Sequence, residues 1–179
     1  MSKHSRIETT DHKESKNIWK EFLNLALKIL VISLIGYIVF GVLFGIRRMN
    51  DQSMNPSIKE GSLIVFYRMD KNYNVGDVIV FENNNKEYIL RIVAKSGQEV
   101  NINEDSELLV DKLPEEHQTF YETKAKEESN IEYPYIVETG KVFVMSDYRL
   151  TKDDSRMFGA VPIEKIKGKV IGKVQIRNI

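Results

Sequence analysis

An uninterrupted apolar run near the amino terminus is the feature that most constrains this chain. Residues 29–46 read ILVISLIGYIVFGVLFGI and contain no side chain that is charged near neutral pH. As a helix, this 18-residue run rises about 27 Å, close to the roughly 30 Å hydrocarbon core of a bilayer. Arg47 and Arg48 follow the run, and no small-residue cleavage site of the kind that ends a secretory signal peptide is present. We therefore predict a single retained transmembrane anchor over residues 22–46.

The segments on either side of this anchor differ in charge. Residues 1–21 are polar and predict a cytoplasmic tail. The flank before the run carries Lys13, Lys16, Lys20 and Lys28, whereas two arginines follow it, so the positive-inside rule favours a cytoplasmic amino terminus. We therefore predict a single-pass protein of the cell membrane whose main domain, residues 47–179, is extracellular.

Composition narrows the possible chemistry. Lys+Arg and Asp+Glu number 26 each, so no surplus of cations is available for phosphates, and we expect no nucleic-acid partner. The chain has no cysteine, which excludes a disulfide scaffold, a thiolate zinc site and a cysteine nucleophile. Only three histidines are present, and two of them lie in the polar tail. We predict no metal and no cofactor.

Short apolar runs after the anchor predict a mostly β domain. They are rich in β-branched and aromatic residues and are bounded by Gly, Asp and Asn, as antiparallel strands are. The runs are residues 62–67, 78–81, 88–93, 108–110, 142–145 and 170–176. Residues 83–85, three asparagines, predict a hairpin loop. Residues 101–139 carry 11 acidic and 3 basic side chains, which predicts a solvated insertion or small cap.

Four sequence segments follow the anchor in a fixed order. Residues 51–58 read DQSMNPSI, residues 76–81 GDVIVF, residues 88–93 YILRIV, and residues 145–156 MSDYRLTKDDSR. This series resembles the type I signal peptidases, membrane-anchored Ser-Lys proteases. Their motifs are S-M-x-P, G-D-x-V-x-F, a strand with Lys-Arg, and G-D-N-R-x-x-S-x-D-S-R. The resemblance covers about residues 25–176 and implies a signal-peptidase-type antiparallel β-domain behind one transmembrane helix.

The resemblance also implies roles for individual residues. Ser53 matches the nucleophile, which attacks a peptide carbonyl and whose backbone N–H helps to form the oxyanion hole. Other matched residues shape the substrate groove and the active-site wall: Met54, Pro56, Asp154, Ser155 and Arg156. The partners implied are exported preproteins, which such enzymes cleave.

The position of the general base departs from the family pattern. Leu90 stands where the family has its catalytic lysine, immediately before the matched Arg91. A leucine accepts no proton, and loss of a positioned base typically costs about 10²–10⁴-fold in rate. Lys152 falls where the family has a serine that hydrogen-bonds that lysine, so Lys152 either reaches Ser53 as a relocated base or faces solvent. Lys95 has the opposite strand parity to Leu90 and points away from Ser53 unless a bulge intervenes.

Three other changes surround the same predicted cavity. Asp51 stands two residues before Ser53, where some family members have a second oxyanion donor. Its carboxylate would repel a developing oxyanion if it faced the site. Ser146 and Tyr148 replace the glycine and asparagine of the last motif. Together with Leu90, these changes indicate a relaxed or redirected function.

Three hypotheses follow from this pattern. In the first, the chain is a weak or inactive signal-peptidase homologue that holds pilin subunits or preproteins in its groove. It would then be similar to the Gram-positive homologues that depart from the Ser-Lys dyad and act in pilus assembly. In the second, it is an active signal peptidase with Lys152 as base. In the third, it is a purely structural tethered β-domain, with apolar side chains such as Leu90 packed over Ser53.

Overall fold

The amino-terminal part of the chain is helical. The structure is a computed structural model that describes residues 5–115, 117, 119, 121–125, 131–151 and 153–175, with side chains from residue 18 onward. Helix α1, Ser5–Tyr37, continues as a π-helical segment, Ile38–Leu43. Within it, Ile18–Leu43 contains an 18-residue window with a mean hydropathy of 2.4 and is long enough to span a membrane. The predicted apolar helix is confirmed, whereas its orientation stays a prediction.

The second compact unit begins at Phe44 and is built from β-strands. Its described strands are β1 Phe44–Arg48, β2 Leu63–Tyr67, β3 Val78–Asn83, β4 Lys86–Lys95, β5 Glu99–Ile102, β6 Leu108–Val110, β7 Leu113–Pro114, β8 Tyr135–Ile136, β9 Lys141–Met145, β10 Val161–Pro162 and β11 Ile166–Val174. Two short helices, α2 Ser155–Phe158 and the 3₁₀ turn Ile163–Lys165, lie before and after β10.

The strands form two antiparallel sheets. The larger sheet has the order β1-β2-β11-β3-β4-β9-β10, and the smaller has the order β7-β6-β5-β8. All the strand pairs are antiparallel. The mostly β fold class is therefore confirmed, and each of the six predicted runs overlaps a strand, the end of the last run at residue 176 lying outside the described residues. Strands β1, β5, β7, β8 and β10 were not predicted.

The anchor boundary predicted at residue 46 differs from the structure. The helix ends at Leu43, and Phe44–Arg48 pair with β2 as the edge strand of the larger sheet. Gly45 permits this pairing, because a Cβ there would lie 2.1 Å from the ring of Phe66, its cross-strand partner. The last three residues of the predicted anchor thus belong to the sheet, since their apolar side chains suit either environment.

The predicted asparagine loop joins β3 to β4. Asn83 pairs with Lys86, so Asn84 and Asn85 form a two-residue hairpin turn. Their φ angles are 49° and 60°, the left-handed region that asparagine tolerates better than most residues. This turn fixes the register of β4 and therefore the face on which each of its side chains lies.

Two apolar clusters fill the β-domain. The first is formed mainly by the larger sheet and the loop that carries Met54, and it contains Leu90. The second joins β4 and β9 to the smaller sheet through residues such as Val100 and Phe143. The acidic region 101–139 therefore contributes apolar residues to a cluster that it shares with the larger sheet.

Candidate active site

Ser53 lies in the loop between β1 and β2. The ends of this loop are joined by Met49 N–H donating to the Ser62 carbonyl at 2.8 Å and Gly61 N–H donating to the Met49 carbonyl at 2.8 Å. The Ser53 carbonyl accepts from the Tyr148 N–H at 2.9 Å. The loop between β1 and β2, named the nucleophile loop after the family position that Ser53 matches, is therefore tied to the segment after β9. Ser53 is 8% exposed, which leaves it a limited opening to solvent.

That opening is a cleft of about 240 Å³. Its lining comes from the nucleophile loop, the beginning of β4 and the segment after β9: Asp51, Ser53, Lys86, Tyr88, Ile89, Thr151 and Asp153. Lys152, the predicted relocated base, lies outside the described residues, but both of its chain neighbours line this cleft. Leu90 is not among the lining residues; it is 1% exposed and packs in the first apolar cluster.

Lys86 is a lysine in the cleft that the sequence analysis missed. It lies four residues before Leu90 on the same face of β4, and that even spacing was the available signal. Its Nζ is ion-paired with the Asp153 carboxylate. This hydrogen bond, more than any other contact, raises the pKa of Lys86 above its ordinary value. Lys86 is therefore an ammonium at neutral pH and cannot accept a proton from Ser53 in this arrangement.

The bulge that would turn Lys95 toward the Leu90 face is present. The register of β4 against β9 shifts between Ile92 and Ala94, so Lys95 pairs with Val142, whose side chain lies in the first cluster. Lys95 is nevertheless at the opposite end of β4 from Lys86. Nine residues of strand separate the two by about 30 Å. Lys95 is also not among the described cleft residues, so the geometry does not support it as a base.

The Ser53 amide already has a hydrogen-bond acceptor. Its N–H donates to Asp51 Oδ1 at 2.9 Å, and Asp51 lines the cleft beside Ser53. The Asp51 carboxylate thus faces the site, so it is placed to repel an oxyanion that develops beside Ser53. A carbonyl oxygen entering the cleft would compete with this carboxylate for the same donor.

The predicted charged pair braces the wall of the site. Asp154 and Arg156 are completely buried, with Nη2 of Arg156 2.7 Å from Oδ2 of Asp154. Burial alone would raise the pKa of Asp154, but the hydrogen bonds and charge of Arg156, with help from Ser146, hold it below its usual range. Ser155, also buried, accepts from the Val144 N–H at 2.9 Å. These contacts fasten the segment after β9 to the sheet.

A second, partly buried pair connects β4 to the same segment. Arg91 donates to both Asp147 oxygens, at 2.8 and 2.7 Å, and to the Gly76 carbonyl at 2.8 Å. Nε2 of His117 lies 3.7 Å from Oδ1 of Asp147. Because Arg91 alternates with Leu90 along β4, it supports the wall while Leu90 packs in the core.

Two residues that the resemblance assigns to the substrate groove lie outside the cleft that contains Ser53. Met54 is fully buried in the first cluster, and Pro56 is exposed. Neither lines the cleft that contains Ser53. Both lie in the loop that carries Ser53, where the Ile58 N–H donates to the Met54 carbonyl at 2.7 Å.

The cleft carries a serine and charged side chains, and nothing that resembles a metal centre. Within the described ranges, no group of three or more His, Asp or Glu side chains is arranged to hold a metal ion. The arrangement offers a serine hydroxyl, an ammonium paired with a carboxylate, and a second carboxylate on the serine amide. The one lysine among its described lining residues, Lys86, is protonated, so these residues do not supply the neutral lysine that Ser-Lys chemistry requires.

Comparison with known proteins agrees with this architecture. Residues 22–176 match the family described as signal peptidase, peptidase S26. Signal peptidase IB of Staphylococcus aureus (strain COL) is 28% identical over 169 residues, covering 84% of this chain and 88% of that protein. Signal peptidase I of Bacillus caldolyticus is 32% identical over 136 residues, covering 66% of this chain and 72% of that protein.

A solved structure of a signal peptidase I from Enterococcus faecalis V583 is also similar. It has 22% identity and a TM-score of 0.45, covering 56% of this chain and 97% of that one. The family assignment depends on the sequence match, which extends from the apolar helix through the last strand. The chain belongs to the signal peptidase family, peptidase S26.

Proposed function

We propose that this protein binds an extended segment of an exported protein in the Ser53 cleft without cleaving it efficiently. The proposal rests on the protonated state of Lys86, a lysine in the cleft. Leu90 replaces the base, and Lys86, which shares its strand face, is an ammonium ion-paired with Asp153. A serine hydroxyl without a base is a weak nucleophile.

The cleft itself supports a binding role. It remains open beside Ser53, and Tyr88 and Ile89 contribute apolar surface to its lining. A domain whose groove had been filled would have no such cleft, so the geometry does not favour the purely structural hypothesis. Extended peptides bind such sites through main-chain hydrogen bonds and through pockets for alternate side chains.

We propose pilin subunits as the bound proteins. This choice rests on the resemblance to Gram-positive signal-peptidase homologues that depart from the Ser-Lys dyad and act in pilus assembly. An extended segment of a pilin could bind in the cleft beside Ser53 and stay uncleaved, because the cleft is retained whereas the base is lost. The helix over Ile18–Leu43 would tether the domain where exported subunits emerge.

Two variants test the binding role. Ile89→Lys places a charged side chain in the cleft, whereas Ile136→Lys makes the same substitution on β8, where the side chain is 64% exposed. Binding of a purified pilin subunit to the detergent-solubilised full chain should be lost in Ile89→Lys and kept in Ile136→Lys. Equal binding by both variants would contradict the proposal.

Cleavage is measured in parallel with a preprotein substrate. Wild type and Ser53→Ala should be equally inert if the protein is a binding protein. Ser53-dependent turnover near the roughly 10 s⁻¹ that is typical of enzymes would show the proposal to be wrong.

An active signal peptidase is the second candidate. Thr151 and Asp153, the neighbours of Lys152 in the sequence, both line the cleft, which supports a test of Lys152 as the base. If Lys152 is the base, Lys152→Ala should lower the rate of Ser53-dependent cleavage by about 10²–10⁴-fold. Lys95→Ala, at the far end of β4, is the matched control and should leave cleavage unchanged.

A further inference from the structure

The amide of Ser53 is held by a charged acceptor from its own loop. Asp51 Oδ1 accepts the Ser53 N–H at 2.9 Å, and both residues line the cleft. The Ser53 peptide group is also fixed from its other side, because the Ser53 carbonyl accepts from the Tyr148 N–H at 2.9 Å. The N–H therefore cannot turn toward a new acceptor without disturbing the wall of the site.

This amide is the donor that chemistry at Ser53 would need. When a serine attacks a carbonyl or phosphonyl centre, negative charge develops on an oxygen next to the serine's own backbone N–H. Hydrogen bonds to ionised acceptors are roughly twice as strong as those between neutral groups. A neutral carbonyl oxygen must therefore displace a stronger acceptor, and the displaced carboxylate then lies beside the developing charge.

Within the part of the chain that the structure describes, no lysine or arginine side chain is ion-paired with the Asp51 carboxylate. Lys86, the nearby cation, is ion-paired with Asp153 and forms no ion pair with Asp51. Lys86 therefore does not neutralise Asp51 by direct contact. The carboxylate remains free to hold the Ser53 amide.

We propose that Asp51 is an intramolecular ligand of the Ser53 amide that limits both peptide binding beside Ser53 and acylation of its hydroxyl. This inference rests on the proposed function, because it concerns the same cleft. It adds a specificity-determining residue: a bound segment must either compete with Asp51 for the amide or leave that donor unused.

A fluorophosphonate probe tests the inference without a pilin or a preprotein. The Ser53 Oγ forms a bond to phosphorus, the P–F bond breaks, fluoride leaves with the bonding pair, and the hydroxyl proton passes to water. The phosphonyl oxygen of the adduct takes the place of an oxyanion. Labelling of the detergent-solubilised full chain is followed by mass spectrometry, with Ser53→Ala as background.

Four proteins are compared. Asp51→Ala frees the amide, whereas Asp51→Asn keeps a neutral acceptor on it. Glu60→Ala removes a carboxylate from the same loop that contacts Gln52 and not the Ser53 amide. Because loss of one oxyanion donor typically costs about 10²–10³-fold, we expect Asp51→Ala to label at least about tenfold faster than wild type. Asp51→Asn should fall between the two, and Glu60→Ala should match wild type.

Several outcomes would overturn the inference. One is a labelling rate of Asp51→Ala that is no higher than that of wild type, which includes the absence of labelling in both proteins. Another is an equal increase of the labelling rate in Glu60→Ala. Equal rates for Asp51→Ala and Asp51→Asn would assign the effect to charge alone and would also overturn it. None of these results depends on pilin binding, so failure of the proposed function remains distinguishable.

Discussion

The Lys86 ammonium is ion-paired with the Asp153 carboxylate in the cleft that contains Ser53. The pair connects the start of β4 to the segment after β9. It places a cation near the serine while keeping that cation protonated. A lysine close to the nucleophile is therefore not enough for Ser-Lys chemistry, because the lysine must also lose its proton near neutral pH.

Replacing Asp153 should change Lys86 without creating an enzyme. In Asp153→Asn, the pKa of Lys86 should fall toward the ordinary lysine value of about 10.4, because its main hydrogen-bond partner is lost. The measurement is an NMR titration of ¹³C-methylated lysines, with Lys86→Arg to assign the signal. Asp105→Asn is the control and should leave the titration unchanged.

The same variant should gain no cleavage at pH 7. A lysine with an ordinary pKa has on the order of 0.1% of its population unprotonated at that pH. A large Ser53-dependent gain in Asp153→Asn would show that Lys86 can act as a base once it is released.

Loss of Arg156 should destabilise the β-domain strongly. Arg156→Ala leaves the carboxylate of Asp154 buried without its partner, which typically costs about 3–5 kcal/mol. Lys124→Ala removes one partner of an ion pair in which both side chains are about 70% exposed, and it should cost at most about 1 kcal/mol. Denaturant unfolding of the solubilised full chain measures both. Similar losses in the two variants would contradict the role assigned to Arg156.

The stabilising effect of Asp154 should disappear in acid. Its folded-state pKa is lowered, so its contribution is complete above the unfolded value of about 3.9 and is lost as pH falls through the lower folded value. The difference in thermal stability between wild type and Asp154→Asn should be constant from pH 6 to 8 and should shrink below about pH 4. Glu104→Gln, at an exposed position, is the control for general acid effects. A difference that grows in acid would reverse the predicted sign.

Gly45 should be intolerant of a side chain. Its added Cβ would lie 2.1 Å from the Phe66 ring, so Gly45→Ala forces the ring or β1 to move and should cost about 1–3 kcal/mol. Gly172→Ala on β11, whose Cβ would meet nothing within 4 Å, is the matched control. Thermal unfolding distinguishes the two. An unchanged midpoint for Gly45→Ala would show that β1 does not depend on this close approach.

The sequence by itself determined the elements whose patterns are local. Eighteen consecutive uncharged residues required an apolar helix, and alternating β-branched runs between turn residues required strands. The motif order around Ser53 and Asp154 identified the family, and the leucine at position 90 predicts that the expected base is missing. Each of these conclusions depends on residue type and spacing along the chain.

Tertiary structure decided which groups share the cleft. Phe44–Arg48 join the sheet because Phe66 packs over Gly45, a long-range contact that an apolar run does not reveal. Lys86 and Asp153 meet although 67 residues separate them. The Asp51 carboxylate could have faced solvent, and only the fold of the nucleophile loop directs it to the Ser53 amide. Hydrogen-bond partners and pKa values depend on distances in space, so the chemistry of the cleft follows from the folded structure and not from the motifs alone.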